Sequence, residues 1–252
     1  MTLKRIESPN LPNVNHGFYT RLGGASSGIF HGLNCGIGSS DQSEIVKINR
    51  ARVAQDMGGT DTNLIALHQF HSAKVVIVDD TFTDRTHADG VVSNRKGDIL
   101  TILTADCQPV LFHDPDAGVI GACHAGWKGA LAGVIGATVD GMIQLGATRE
   151  NISAAIGPCI SQPAYEVGAE FQDQFVEHDP TFQAFFIAGA LDGKFQFNLP
   201  ALGLHILKAA GIKSAHWIAQ CTYSNEEYYY SYRRATHRAE ADYGRLISCI
   251  TL

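Results

Sequence analysis

A chain of 252 residues with 45% hydrophobic and 17% charged side chains can bury a large core and is globular by composition. Its formal net charge of −6 excludes a broad basic field for a nucleic-acid backbone or an acidic membrane, so any bound anion must be met by local groups. The weakly charged stretch 118–145 is Gly-rich and interrupted by His124, Lys128 and Asp140, too broken to span a bilayer.

Lys4, Arg5, Glu7 and Pro9 stand where a secretory signal needs an apolar run, so a cytoplasmic location is expected. The first strand is predicted over Gly17–Thr20, followed by a glycine loop from Thr20 to Gly28 whose Arg21 suits a bidentate phosphate contact. A helix follows over 43–57, with Asp41 as its candidate cap. Six strands then succeed one another, at 64–68, 75–79, 90–93, 99–104, 110–113 and 119–124. Beyond them come a helix over 130–144, a strand over 152–156, helices over 167–177 and 199–210, and strands over 216–219 and 246–251. Tyr228–Tyr232 reads as a strand with cross-strand aromatics. Six strands without an intervening helix argue against a doubly wound parallel sheet and for an α+β fold, with mixed sheets covered by helices. With no repeat, low-complexity tract or linker, the expectation is a single domain over 1–252.

Cysteine and histidine carry the chemistry. Six cysteines without a C-x-x-C pair are too sparse for a disulfide framework, which leaves reduced thiols. Cys107, after Thr104-Ala105-Asp106, and His124, before Ala125-Gly126-Trp127-Lys128, each stand at the edge of an apolar strand beside turn residues. Such a thiolate and imidazole suit either a metal site or a nucleophile with its base. His68 and His71 lie three apart; joined to Cys107 and His124, His71 would complete a His₂Cys set that leaves zinc an open position. The same cysteine and His124 would serve a metal-free cysteine hydrolase, whereas Cys123 reads as a core residue. The segment from Gly126 to Lys128 offers a turn that could seat an anion, with Asp106 as a supporting group. His16, His31, His87, His113, His178, His205, His216 and His237 sit in contexts that suit solvated, capping or strand-end roles.

Five strings, Thr104-Ala105-Asp106-Cys107, His124-Ala125-Gly126-Trp127, Gly157-Pro158, Tyr165-Glu166-Val167-Gly168 and Ser231-Tyr232-Arg233-Arg234, resemble the YfiH-type laccase-domain family in order and spacing. The resemblance runs from about Gly17 to Leu252. It implies a four-layer α/β/β/α sandwich related to cytotoxic necrotizing factor toxins. It also implies a zinc-dependent purine nucleoside phosphorylase with adenosine deaminase and methylthioadenosine phosphorylase activity, acting on nucleosides and phosphate as a monomer or small homo-oligomer. The implied metal ligands are His71, Cys107 and His124; Arg21, Lys128, Asp106 and Arg233 are expected, from their own positions beside turns and candidate ligands, as substrate or supporting groups. Lys128 stands where relatives often carry Arg, and Gln69-Phe70-His71-Ser72 where they often have Gln-Val-His-Gly. The family label further implies a copper polyphenol oxidase, and some relatives are linked to cell-wall precursor editing by an amidase. No two of the eleven histidines are separated by a single residue, so the clustered His-x-His pairs of a four-copper oxidase are missing; copper is the second metal to consider.

Overall fold

The computed structural model describes residues 2–252. In chain order the first half contributes β1 (Arg5–Ile6), β2 (Asn15–Tyr19), α1 (Ser43–Asp56), β3 (Leu64–Ile65), β4 (Leu67–His68), β5 (Val75–Ile77), β6 (Thr86–His87), β7 (Gly90–Ser93), β8 (Ile99–Thr104), β9 (Gln108–Asp114) and β10 (Val119–Ala125). The second half adds α2 (Trp127–Ala132), α3 (Val134–Gln144), β11 (Ser153–Ile156), β12 (Glu166–Gly168), α4 (Ala169–His178), β13 (Phe186–Ala188), β14 (Lys194–Phe197), α5 (Leu199–Ala209), β15 (Ser214–Trp217), α6 (Tyr232–His237) and β16 (Leu246–Thr251).

Two large sheets face each other. One has the order β1-β2-β16-β8-β3 and the other β15-β11-β9-β10-β7-β5, and both mix parallel with antiparallel pairs. Phe18, Leu100, Ile102 and Ile250 from the first sheet meet Val91, Leu111, Ile120 and Ala155 from the second in a buried apolar layer between them. The alternation of side chains along each strand turns the next residues outward. On the first sheet Tyr19, Ile99, Ile247 and Cys249 pack under α1, which buries Val46, Val53 and Ala54 along one helical face. On the second, Val110, Phe112 and Cys123 pack under Val134, Val139 and Met142 of α3 and Leu207 of α5. The result is α1, sheet, sheet, α3 with α5: an α+β sandwich of four layers.

A third, smaller sheet, β12-β14-β13, stands to one side over an aromatic cluster of Phe171, Phe175, Phe186 and Phe197. Its strands are three or four residues long, too short to show a period in the sequence, and were not expected.

Several expectations shift in detail. The helix predicted over 130–144 is two helices, because Gly133 adopts a left-handed φ of 96° that ends α2 and starts α3. Asp41 does not cap α1; its carboxylate accepts instead from Ser26 Oγ and Asn34 Nδ2, and Gln42 occupies the cap position. The run 64–68 divides at Ala66 into β3 and β4, which belong to different sheets. Tyr228–Tyr232 forms no strand. Tyr229 and Tyr230 are buried, the Tyr230 hydroxyl donates to the carbonyl of Phe30, and Ser231 caps α6 by accepting from the Arg234 amide.

For the site, the decisive element is the β9–β10 hairpin. Asp114 turns it by accepting from the amides of Asp116 and Ala117, and Gly118 supplies a positive φ of 60°. Its register pairs His124 with Pro109 and Ala125 with Gln108, which brings Cys107 and His124 to the same open end.

Candidate metal centre

His71, Cys107 and His124 converge so that one ligand atom from each lies within 4.8 Å of the others. Cys107 Sγ is 3.7 Å from His71 Nε2, and the two imidazoles meet edge to face with centroids 4.7 Å apart. His71 is exposed, Cys107 half-buried and His124 buried, so the group opens to solvent on one side. It is the one His, Cys, Asp or Glu group among the described residues with metal-ligand spacing.

Asp89, which the sequence reading missed, organises two of the three. It is fully buried directly before β7, and its Oδ1 lies 2.8 Å from His124 Nδ1. That contact leaves His124 Nε2 as the nitrogen free to bind. The same carboxylate accepts from the backbone amides of Phe70, His71 and Ser72 at 3.2, 3.0 and 2.7 Å, and from the Ser72 hydroxyl at 2.8 Å. His71 sits at φ 66°, a left-handed conformation that turns successive amides toward one anion. Burial alone would raise the Asp89 pKa, but the His124 ring and these donors outweigh it and hold the carboxyl well below the usual range. No short spacing links Asp89 to either histidine. The sequence signal was an acid set directly before the predicted strand Gly90–Ser93.

Cys107 is placed by its predecessor. Asp106, at φ 81°, is buried and accepts from Thr222 Oγ1 at 2.6 Å, Ser231 Oγ at 2.9 Å and the Arg233 amide at 2.7 Å. Its carbonyl accepts from the Ile160 amide. Thr222 and Ser231 were also missed; only the string at 231–234 marked that neighbourhood. Burial pushes the Asp106 carboxyl up against these hydrogen bonds. Burial pushes the Cys107 thiol up too, but the neighbouring His124 and hydrogen bonds from both rings bring it down to about 7. Burial opposes the His124 imidazolium, while Cys107 and Asp89 raise its pKa to about 9.

Gly126 completes the floor. A Cβ there would lie 2.7 Å from Cys107 Sγ and 2.8 Å from His71 Cδ2, so the chain needs glycine where β10 passes into α2.

This donor set fits a borderline divalent ion. Two imidazoles and a depressed thiol on one side of a solvent-open floor leave a coordination position for substrate or water. The cluster lines a cavity of about 580 Å³ walled by Gln69, Leu103, Trp127, Lys128, Tyr232 and Arg245. Lys128 is exposed on this wall, its ammonium 5.3 Å from the Trp127 ring centroid. Arg21 is elsewhere. Its guanidinium donates to the carbonyls of His31 and Glu226, stacks on Tyr230 and lines a separate small cavity with Arg234 and Arg238. The glycines beside it serve packing, since a Cβ on Gly24 would collide with the backbone of Gly32 and Leu33. Arg233 does not line the main cavity either. It donates to the Glu166 carbonyl and lies over Tyr165.

The family model described as multi-copper polyphenol oxidoreductase laccase matches residues 15–252. The chain belongs to that family, the YfiH-type laccase-domain proteins. A Deinococcus radiodurans member named purine nucleoside phosphorylase is 37% identical over 92% of this chain and 88% of its own. The Escherichia coli K12 member named purine nucleoside phosphorylase YfiH is 33% identical over 92% and 91%. Among laccase-domain crystal structures, Neisseria meningitidis NMB0706 superposes with a TM-score of 0.88 at 33% identity, over 99% of this chain and 98% of that one. Bacillus licheniformis YfiH gives 0.87 at 30% identity, covering 95% and 92%. No helix among the described residues is long and apolar enough to cross a membrane.

Proposed function

We propose that this chain is a purine nucleoside phosphorylase acting through a single metal ion, zinc in the first instance, held by His71, Cys107 and His124. The observation that carries the proposal is the three-donor cluster at the floor of a cavity large enough for a nucleoside. The names of the relatives supply the reaction class. In the reaction a phosphate oxygen forms a bond to the ribose C1′ as the bond from C1′ to N9 of the purine breaks, and the base leaves with a proton. A bound ion would act as a Lewis acid and supply positive charge at this floor. Asp89 fixes the His124 ring and the His71 backbone, which leaves His124 Nε2 free in a cluster where His71 Nε2 lies 3.7 Å from Cys107 Sγ. Asp106 holds the backbone that carries Cys107. Lys128, which shares the cavity wall with Arg85 and Arg245, is the cation nearest in sequence to the metal floor and suits phosphate, and Trp127 and Tyr232 offer flat surfaces to the base.

The reading extends to adenosine deamination in the same cavity, with water adding at C6 and ammonia leaving. Copper is the alternative ion, but one three-donor cluster holds one ion and does not furnish a four-copper oxidase.

Zinc-loaded protein given inosine and phosphate is expected to release hypoxanthine and ribose 1-phosphate, measured by chromatography. No base release with one equivalent of zinc bound refutes the proposal. The depressed Cys107 thiol beside His124 favours one other reading, a cysteine amidase of the kind linked to cell-wall precursors. His71→Ala separates the two: loss of metal and of base release belongs to the metal enzyme, and a metal-free variant that still cleaves amides belongs to the thiol hydrolase.

A further inference from the structure

Two cysteines outside the metal cluster are neighbours across a strand pairing. Cys159 and Cys221 form an isolated parallel bridge in which the Cys159 amide donates to the Gln220 carbonyl and the Cys159 carbonyl accepts from the Thr222 amide. Residues paired in this way send their side chains to the same face. Neighbouring strands lie roughly 4.8 Å apart, inside the range of about 4.4–6.8 Å between Cα atoms that a disulfide requires. Both thiols are free.

Their surroundings differ in a way that suits a reactive and a resolving thiol. Cys221 is partly exposed, and its Sγ accepts from the Ser161 amide at 3.4 Å and the Ser224 hydroxyl at 3.5 Å. Burial works against ionisation of Cys221, but these donors outweigh it and lower its pKa. Cys159 is completely buried, which holds its thiol well above the ordinary value. Cys35, Cys123 and Cys249 are buried and shifted upward as well. Apart from Cys107, Cys221 is therefore the one thiol among the described residues that is both reachable and biased toward thiolate.

We propose that Cys221 and Cys159 form a hydroperoxide-sensitive thiol pair that closes to a disulfide. The Cys221 sulfur attacks one peroxide oxygen, the O–O bond breaks, and one water leaves, giving Cys221 sulfenic acid. The Cys159 sulfur then attacks the Cys221 sulfur, the S–O bond breaks, and the Cys159 proton departs with the hydroxide as a second water. Two thiols lose two electrons, and one hydrogen peroxide becomes two waters. This inference is independent of the proposed activity. Its position matters, because each cysteine directly precedes a residue that holds Asp106: Ile160 through its amide and Thr222 through its hydroxyl. A bond between the two sulfurs would tie those anchors to each other.

The test uses metal-loaded full-length protein treated with micromolar hydrogen peroxide, blocked with N-ethylmaleimide and digested without reduction. Mass spectrometry should find the peptides of Cys159 and Cys221 joined with loss of two hydrogens, the link disappearing on reduction and in Cys221→Ser. In Cys159→Ala, Cys221 should accumulate as sulfenic acid and take up dimedone. Should that variant fail to fold, the wild-type chain still decides, since Cys221 should alkylate at least about tenfold faster than the buried Cys123. The proposal is overturned if no 159–221 link forms, if the link joins either residue to Cys107 instead, or if Cys221 alkylates no faster than Cys123.

Discussion

Two buried aspartates flank the candidate metal centre and do different work. Asp89 gathers groups from two ligand-bearing segments, the amides at 70–72 and the ring of His124, and their donors keep it ionised. Asp106 gathers no ligand directly; it fastens the residue before Cys107 to Thr222, Ser231 and Arg233 far along the chain. Burial raises its pKa, and its donors are neutral hydroxyls and an amide. One carboxylate sets the electrostatics and orientation of the ligands, while the other sets where the thiol's backbone lies. Charge is indispensable to the first role and much less so to the second.

The strongest test of this contrast is Asp89→Asn. It is expected to weaken metal binding by roughly 100-fold, measured by competition with a chromophoric chelator, and base release should fall with it. Asp106→Asn should retain metal far better. Its cost should fall on stability, about 1–3 kcal/mol from donors left facing an amide NH₂, measured by urea unfolding of the metal-free protein. Equal losses of metal from both variants would erase the distinction. Gly126→Ala tests the floor that both aspartates serve: the added methyl should cost about 1–3 kcal/mol through overpacking and displace Cys107 or His71, read as weaker metal binding in the same competition. In metal-free protein, alkylation of Cys107 should rise with pH through about 7, because the thiolate is the reactive form and forms below the ordinary thiol value. A rise centred near 9 would mean that the His124 and Asp89 side does not reach the thiol. The smallest effect is expected from Lys128→Ala, a rise of roughly threefold to tenfold in KM for phosphate from loss of one exposed ionic contact. Arg21→Ala, on a separate cavity, should leave that KM unchanged.

What the sequence revealed follows the same division. The three donors were legible because each is a distinctive residue type beside an apolar strand or a turn, and strand order fixed the α+β class. Asp89 was hidden because its partners lie 18 and 35 residues away, and pairing at those separations is a property of β5 and β10 each lying beside β7. Arg21 misled, since an arginine in a glycine loop suggests an anion, whereas here backbone carbonyls take its donors. The three-stranded sheet was invisible for a different reason: its strands are shorter than any pattern of alternation can reveal.

The first sheet also has an implication for how the protein is made. β16 lies between β2 and β8, so strands from the beginning and middle of the chain meet only through residues 246–251. During synthesis the apolar faces of β2 and β8 emerge well before the strand that joins them. Throughout that interval they offer unpaired edges to solvent and to other nascent chains. Residues 246–251 therefore cover one edge of β2 and one edge of β8 at once, and the first sheet is continuous only when they are in place.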